Sequence, residues 1–121
     1  MGNLLKETKD VLKENGKTIK DIIAVQGMNF GIPVDLFLKL ADTLYDSGFG
    51  STKVADDLIV IGKDFWLERH EYDGSEWWEY KELPKILENI VEVSALTVNQ
   101  CKIRCSCGWN TLKELNFESE D

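Results

Sequence analysis

Positive charge is scarce in this sequence. Fourteen lysines and arginines stand against 22 aspartates and glutamates, a formal net charge of −8 over 121 residues. Phosphates demand cations, so this balance argues against direct binding to nucleic acid and against docking on an anionic membrane. It favours solubility and permits a basic partner. Long apolar runs are missing too: no stretch approaches the roughly 18 apolar residues that a membrane span needs. The start, "MGNLLKETKD", lacks the apolar run of a signal peptide, and Lys6 stands where a myristoylation motif wants Ser or Thr. The expected location is the cytoplasm.

Cysteine and histidine are few. Cys101, Cys105 and Cys107 are odd in number and lie within seven residues, which excludes a disulfide framework. Their C-x3-C-x-C spacing, even with His70 as a fourth ligand, does not match the paired C-x2-C knuckles of zinc sites. No metal and no cofactor is expected. His70 is the only histidine. With Glu68, Glu71 and Glu76 it has the makings of acid–base chemistry. A lone histidine on a strand is ordinarily a polar surface residue, and no enzyme is expected.

What remains is a composition suited to folding: 43% apolar and 30% charged residues, with no internal repeat, long linker or low-complexity tract. The expectation is one compact domain over 1–121, with an acidic tail frayed from about residue 117. Asn3 can cap a helix whose face is Leu4, Leu5, Thr8, Val11 and Leu12, with Gly16 as its left-handed stop. "DIIAVQGMNFGI" reads as a strand or a hairpin turning near Gly27 to Asn29. Pro33 opens a second helix, with Leu36, Phe37, Leu40, Ala41 and Leu44 as its buried stripe. "LIVIG" reads as a central strand, Pro84 closes the meander after it, and "VEVSALTV" alternates like a further strand. "NTLKEL" is a short helical pattern. The fold class is α+β: an antiparallel sheet of about four strands, with two to three helices packed on one face.

Residues 64–83, "DFWLERHEYDGSEWWEYKEL", hold three of the four tryptophans, the histidine and seven carboxylates. Asp73-Gly74 is a strong two-residue turn signal. If it is the whole loop, Arg69 faces Trp78 as a cation–π pair, while Glu68 faces Glu79 and Glu71 faces Glu76, like charges that a sheet disfavours. A bulge at Gly74 would slip the register by one residue and swap which tryptophan is buried. In either register, rings and carboxylates interleave on an exposed face. The candidate partner-binding residues are Glu68, Glu71, Asp73, Glu76, Trp77, Trp78 and Glu79, with Trp77 or Trp78 as the apolar anchor. Asp42, Asp46, Asp56 and Asp57 flank "DSGFGST", which matches neither an EF-hand nor a P-loop. It reads as a helix stop and turn, with a nucleotide-like ligand on the Ser51-Thr52 backbone as the alternative.

"LYDSGFG" followed by "VADDLIVIGKDFWLERHEYDGSEWWEYKELP", with the later "ALTV" and "CGW.TLKELN", resembles small proteins carried by phages and prophages of Gram-positive bacteria. The resemblance runs from about Leu4 to Asn116 and brings no site residues with it. Together with the charge it implies an anti-CRISPR-like protein in the host bacterial cytoplasm. Such a protein would offer a phosphate-mimicking surface to a host defence or nucleic-acid-handling protein, for instance a CRISPR effector. The alternative is a small-ligand or nucleotide-sequestering protein.

Overall fold

The computed structural model describes residues 2–48, 50–104 and 108–118. The chain divides into two compact units, Met1–Pro84 and Lys85–Asp121. The first is α+β. The Asn3 side chain accepts the Lys6 N–H at 2.9 Å and so satisfies one of the open donors at the start of α1 (Leu4–Glu14). Leu4, Thr8 and Leu12 are buried on its inner face. Thr8 is tolerated there because its hydroxyl donates to the Leu4 carbonyl at 2.7 Å. Gly16 ends the segment with φ +73°, a conformation that costs glycine little.

The second helix, α2 (Val34–Ala41), follows Pro33 as expected, but its buried stripe is turned from the expected one. Phe37 and Ala41 are buried, with Val34 and Leu38 packed against the same core. That is the i, i+3, i+4, i+7 set of a helix face. Leu36, Leu40 and Leu44 are exposed. Leu44 lies beyond the helix, in β4 (Leu44–Tyr45), which pairs with β1 (Gly2–Asn3) in a small ribbon.

The main sheet has five strands rather than about four. These are β2 (Ile22–Gln26), β3 (Gly31–Ile32), β5 (Ile59–Gly62), β6 (Phe65–Tyr72) and β7 (Ser75–Glu82), in the order β3-β2-β5-β6-β7 and antiparallel throughout. "LIVIG" is central, and the hairpin near Gly27 is present. The register slips between Ile22 and Ala24. This bulge extrudes Ile23 and lets both Ile22 and Val25 face inward. Val25, Val60, Leu67 and Tyr80 sit opposite one another across four strands and form the inner row that α1 and α2 cover. Gly62 is needed beside that row, because a Cβ there would fall inside the buried ring of Phe65.

In the second unit, "VEVSALTV" is not a strand. Alternation suits a pleat, but a strand also needs a neighbour to bond. Here the side chain of Asn116 takes that part. Its Oδ1 accepts the N–H groups of Ser94 and Ala95 at 3.1 and 2.9 Å, and its Nδ2 donates to the Ala95 carbonyl at 2.9 Å. Asn116 ends α3 (Leu112–Asn116), the expected short helix. A reciprocal Thr111–Glu114 capping box starts it. Cys101 is a free thiol. Cys105, Cys107 and residues 119–121 of the acidic tail lie outside the described residues. Among the described residues no helix is long and apolar enough to cross a membrane.

Candidate functional site

β6 and β7 turn on Asp73 and Gly74 alone, at φ +49° and +86°, the positive pair a tight hairpin turn requires. Tyr72 therefore faces Ser75 and the pairing runs unshifted to Phe65–Glu82. The bulged register is not the one adopted. Alternate residues now separate onto two faces.

The inner face holds a buried polar cluster. Glu76 is 5% exposed, and its carboxylate accepts the Lys53 N–H at 2.7 Å, the Arg69 Nη2 at 2.9 Å and the Val54 N–H at 3.2 Å. The Arg69 side chain is 4% exposed. Its guanidinium lies 4.8 Å from the Trp78 ring centre and 5.9 Å from that of Tyr45. Its Nε and Nη1 have no hydrogen-bond partner among the described residues; stacking between two rings is what they have instead. Nη2 also donates to the Tyr45 hydroxyl at 3.2 Å, which donates in turn to the Glu7 carboxylate, 2.6 and 2.8 Å from its two oxygens. Trp78 is 6% exposed, and its indole N–H donates to Thr8 Oγ1 at 2.9 Å. Burial pushes the Glu76 carboxyl up, but the Lys53 N–H, Arg69 and the Val54 N–H outweigh it and hold the group below the ordinary value.

The outer face carries Trp66, Glu68, His70 and Tyr72 opposite Lys81, Glu79, Trp77 and Ser75. Each carboxylate is held by donors two residues along its own strand. Glu68 accepts the Trp66 indole N–H at 2.7 Å and lies 2.9 Å from His70 Nε2. Glu79 accepts the Trp77 indole N–H at 2.8 Å. The hydrogen bonds from Trp66 and His70 keep the Glu68 carboxyl below its ordinary value. This is how the sheet tolerates Glu68 directly opposite Glu79. The other like-charge pair is relieved differently, since Glu76 turns under the loop and Glu71 stays in water.

Of the seven expected partner-binding residues, two are corrected. The side chains of Glu76 and Trp78 turn inward, committed to Arg69 and Thr8, and offer no side-chain surface to a partner. Glu68, Trp77 and Glu79 share the outer face, with Trp77 38% exposed. Glu71 and Asp73 are exposed at the hairpin tip. Sequence reasoning missed the part of Tyr45 and Glu7, which lie 24 and 62 residues from Arg69 in the chain. No local pattern marks such a pair.

The "DSGFGST" loop is pinned from below. The Glu76 N–H donates to the Ser47 carbonyl at 2.9 Å, and the Glu76 carboxylate fills the N–H groups of Lys53 and Val54. Two backbone donors just beyond Thr52 are thus taken by an internal anion. The adjoining cavity, lined by Thr52, Val54, Asp56, Arg69, His70, Glu71 and Glu76, measures about 40 Å³, far below the several hundred Å³ of ligand pockets. A wider concavity of about 360 Å³ runs along α1, lined by Lys9, Lys13, Lys17, Thr18 and Ile19. Lys9 and Lys13 lie four residues apart on one face of α1, and Lys17, past the Gly16 stop, adds a third cation while lying 3.8 Å from Asp64, a basic patch that the sequence does not single out. Among the described residues no group of histidine, cysteine and carboxylates is placed to hold a metal ion.

No protein family, no curated protein and no solved structure matches the chain.

Proposed function

We propose that the protein is a non-enzymatic, phage-type interaction protein that binds and inhibits a host defence or nucleic-acid-handling protein in an anti-CRISPR-like manner. The observation that carries this reading is the outer face of the hairpin. There Trp77 stands partly exposed, with its indole N–H held by Glu79, beside Glu68 and next to Glu71 and Asp73 at the tip. Fixed carboxylates around an aromatic anchor suit a basic groove that ordinarily holds phosphates. The net charge of −8 steers such an encounter and repels nucleic acid itself. The site comprises Glu68, Glu71, Asp73, Trp77 and Glu79, with Glu76 and Trp78 supporting it from beneath.

The test is capture from bacterial lysate on immobilised wild type, beside a Glu68→Lys/Glu71→Lys/Trp77→Ala variant. A basic nucleic-acid-handling protein held by the first, lost by the second and released by raised salt is the expected result. Retention that ignores both the variant and the salt sinks the reading.

The Lys9, Lys13 and Lys17 groove favours a second reading, a small anionic ligand such as a nucleotide held on α1. A thermal-shift panel of nucleotides on wild type and on Lys13→Glu decides it: stabilisation that the variant loses supports it, and no shift rejects it.

A further inference from the structure

We propose that β7 is a self-pairing edge, and that two copies of this chain join through it into one continuous antiparallel sheet. β7 is an outermost strand of the main sheet. In an antiparallel pair, alternate residues turn their backbone groups toward the neighbour. The Leu83 N–H donates to the Asp64 carbonyl at 2.8 Å, which fixes the phase. Ser75, Trp77, Glu79 and Lys81 bond to β6, while Glu76, Trp78, Tyr80 and Glu82 point their backbone groups away from the sheet. The Glu76 N–H is already used by Ser47. Among the described residues, the outward N–H and C=O groups of Trp78, Tyr80 and Glu82 have no hydrogen-bond partner. The strand has no proline, and its register against β6 has no bulge, two of the devices that ordinarily blunt an exposed edge.

The open stretch, Trp78 to Glu82, is centred on Tyr80. A two-fold axis at Tyr80 sets Tyr80 against Tyr80 of the second copy and Trp78 against Glu82, so every open backbone group meets another. It also sets Glu79 against Lys81 twice, at the closely spaced positions between the bonded pairs. An axis at Glu79 would oppose that carboxylate to itself. An axis at Glu79 or at Trp78 would also need the outward edge of Glu76, which Ser47 occupies. The sequence of charges along the edge is complementary to its own reverse, and this identifies the occupant as a second copy rather than a basic strand from another protein. The inference does not depend on the proposed function.

The test is sedimentation equilibrium over a concentration series, with circular dichroism to show that each variant is folded. Glu79→Lys removes a like-charge pair with Glu68 inside the monomer, so its fold is not threatened. Wild type is expected to show a monomer–dimer equilibrium. Glu79→Lys and Lys81→Glu should each weaken it by about tenfold or more, because each places like charges opposite one another twice. An equal mixture of the two single variants should recover the dimer. A wild type that stays monomeric up to about 1 mM, single variants that associate as tightly as wild type, or a mixture that fails to recover association each overturns the proposal.

Discussion

Arg69 Nη2 lies 2.9 Å from Glu76 Oε1, with both side chains inside the protein. The pair ties the hairpin to the loop above it, because the same carboxylate holds the N–H groups of Lys53 and Val54. Removing one member of a buried ion pair leaves the other charge without compensation. Glu76→Gln should therefore destabilise the fold by about 3 kcal/mol. Glu71→Gln, directly opposite but exposed, should change stability by less than about 0.5 kcal/mol. Urea denaturation of both variants checks the contrast.

The same carboxylate sets an acid limit. Its folded value lies below the ordinary 4.5, so the stability it contributes is complete above that value and is lost as pH falls through the lowered one. Denaturant midpoints measured from pH 6 down to pH 2 should fall for wild type. They should fall less steeply for Glu76→Gln, which has no carboxyl there to protonate.

Tyr45 sets a limit at the other end. Burial and its hydrogen bond to Glu7 push the phenol from 10.0 up to about 12. A raised value means that its contribution is complete below pH 10 and disappears as pH rises through about 12. In a spectrophotometric titration one of the three tyrosines should ionise last, and Tyr45→Phe should remove that step.

Gly62 should tolerate no side chain. A Cβ there overlaps the ring of Phe65, which is buried and stacked on Tyr80 with centroids 5.5 Å apart. Gly62→Ala should cost about 1–3 kcal/mol. Gly48→Ala, with nothing near its Cβ position, should stay within about 0.5 kcal/mol. Thermal melts of the two variants suffice.

The parts of this fold that the sequence reveals are those written in neighbouring residues. The Asn3 cap, the Gly16 stop, the helix after Pro33 and the Asp73-Gly74 turn each depend on a few adjacent side chains, and each is found. The turn also determines which face Trp77 and Trp78 take once it is known to be the whole loop. The burial of Glu76 is hidden, because its partners in the loop lie 22 and 23 residues away. The stripe of α2 shares Phe37 and Ala41 with the expected one but not Leu36, Leu40 and Leu44, because leucines recur around that short helix and packing selects Val34 and Leu38 instead. "VEVSALTV" misled because alternation records a pleat-like pattern but not whether a strand lies alongside.

The most direct measurement of phosphate mimicry uses the basic host protein captured from lysate. That protein, bound to fluorescent duplex DNA, would be titrated with the wild type and with the Glu68→Lys/Glu71→Lys/Trp77→Ala variant, each at low and high salt. Wild type should displace the DNA completely at low salt and more weakly at high salt, while the variant leaves it bound. A host protein that holds DNA and wild type together, with no displacement, would contradict a surface that stands in for phosphates.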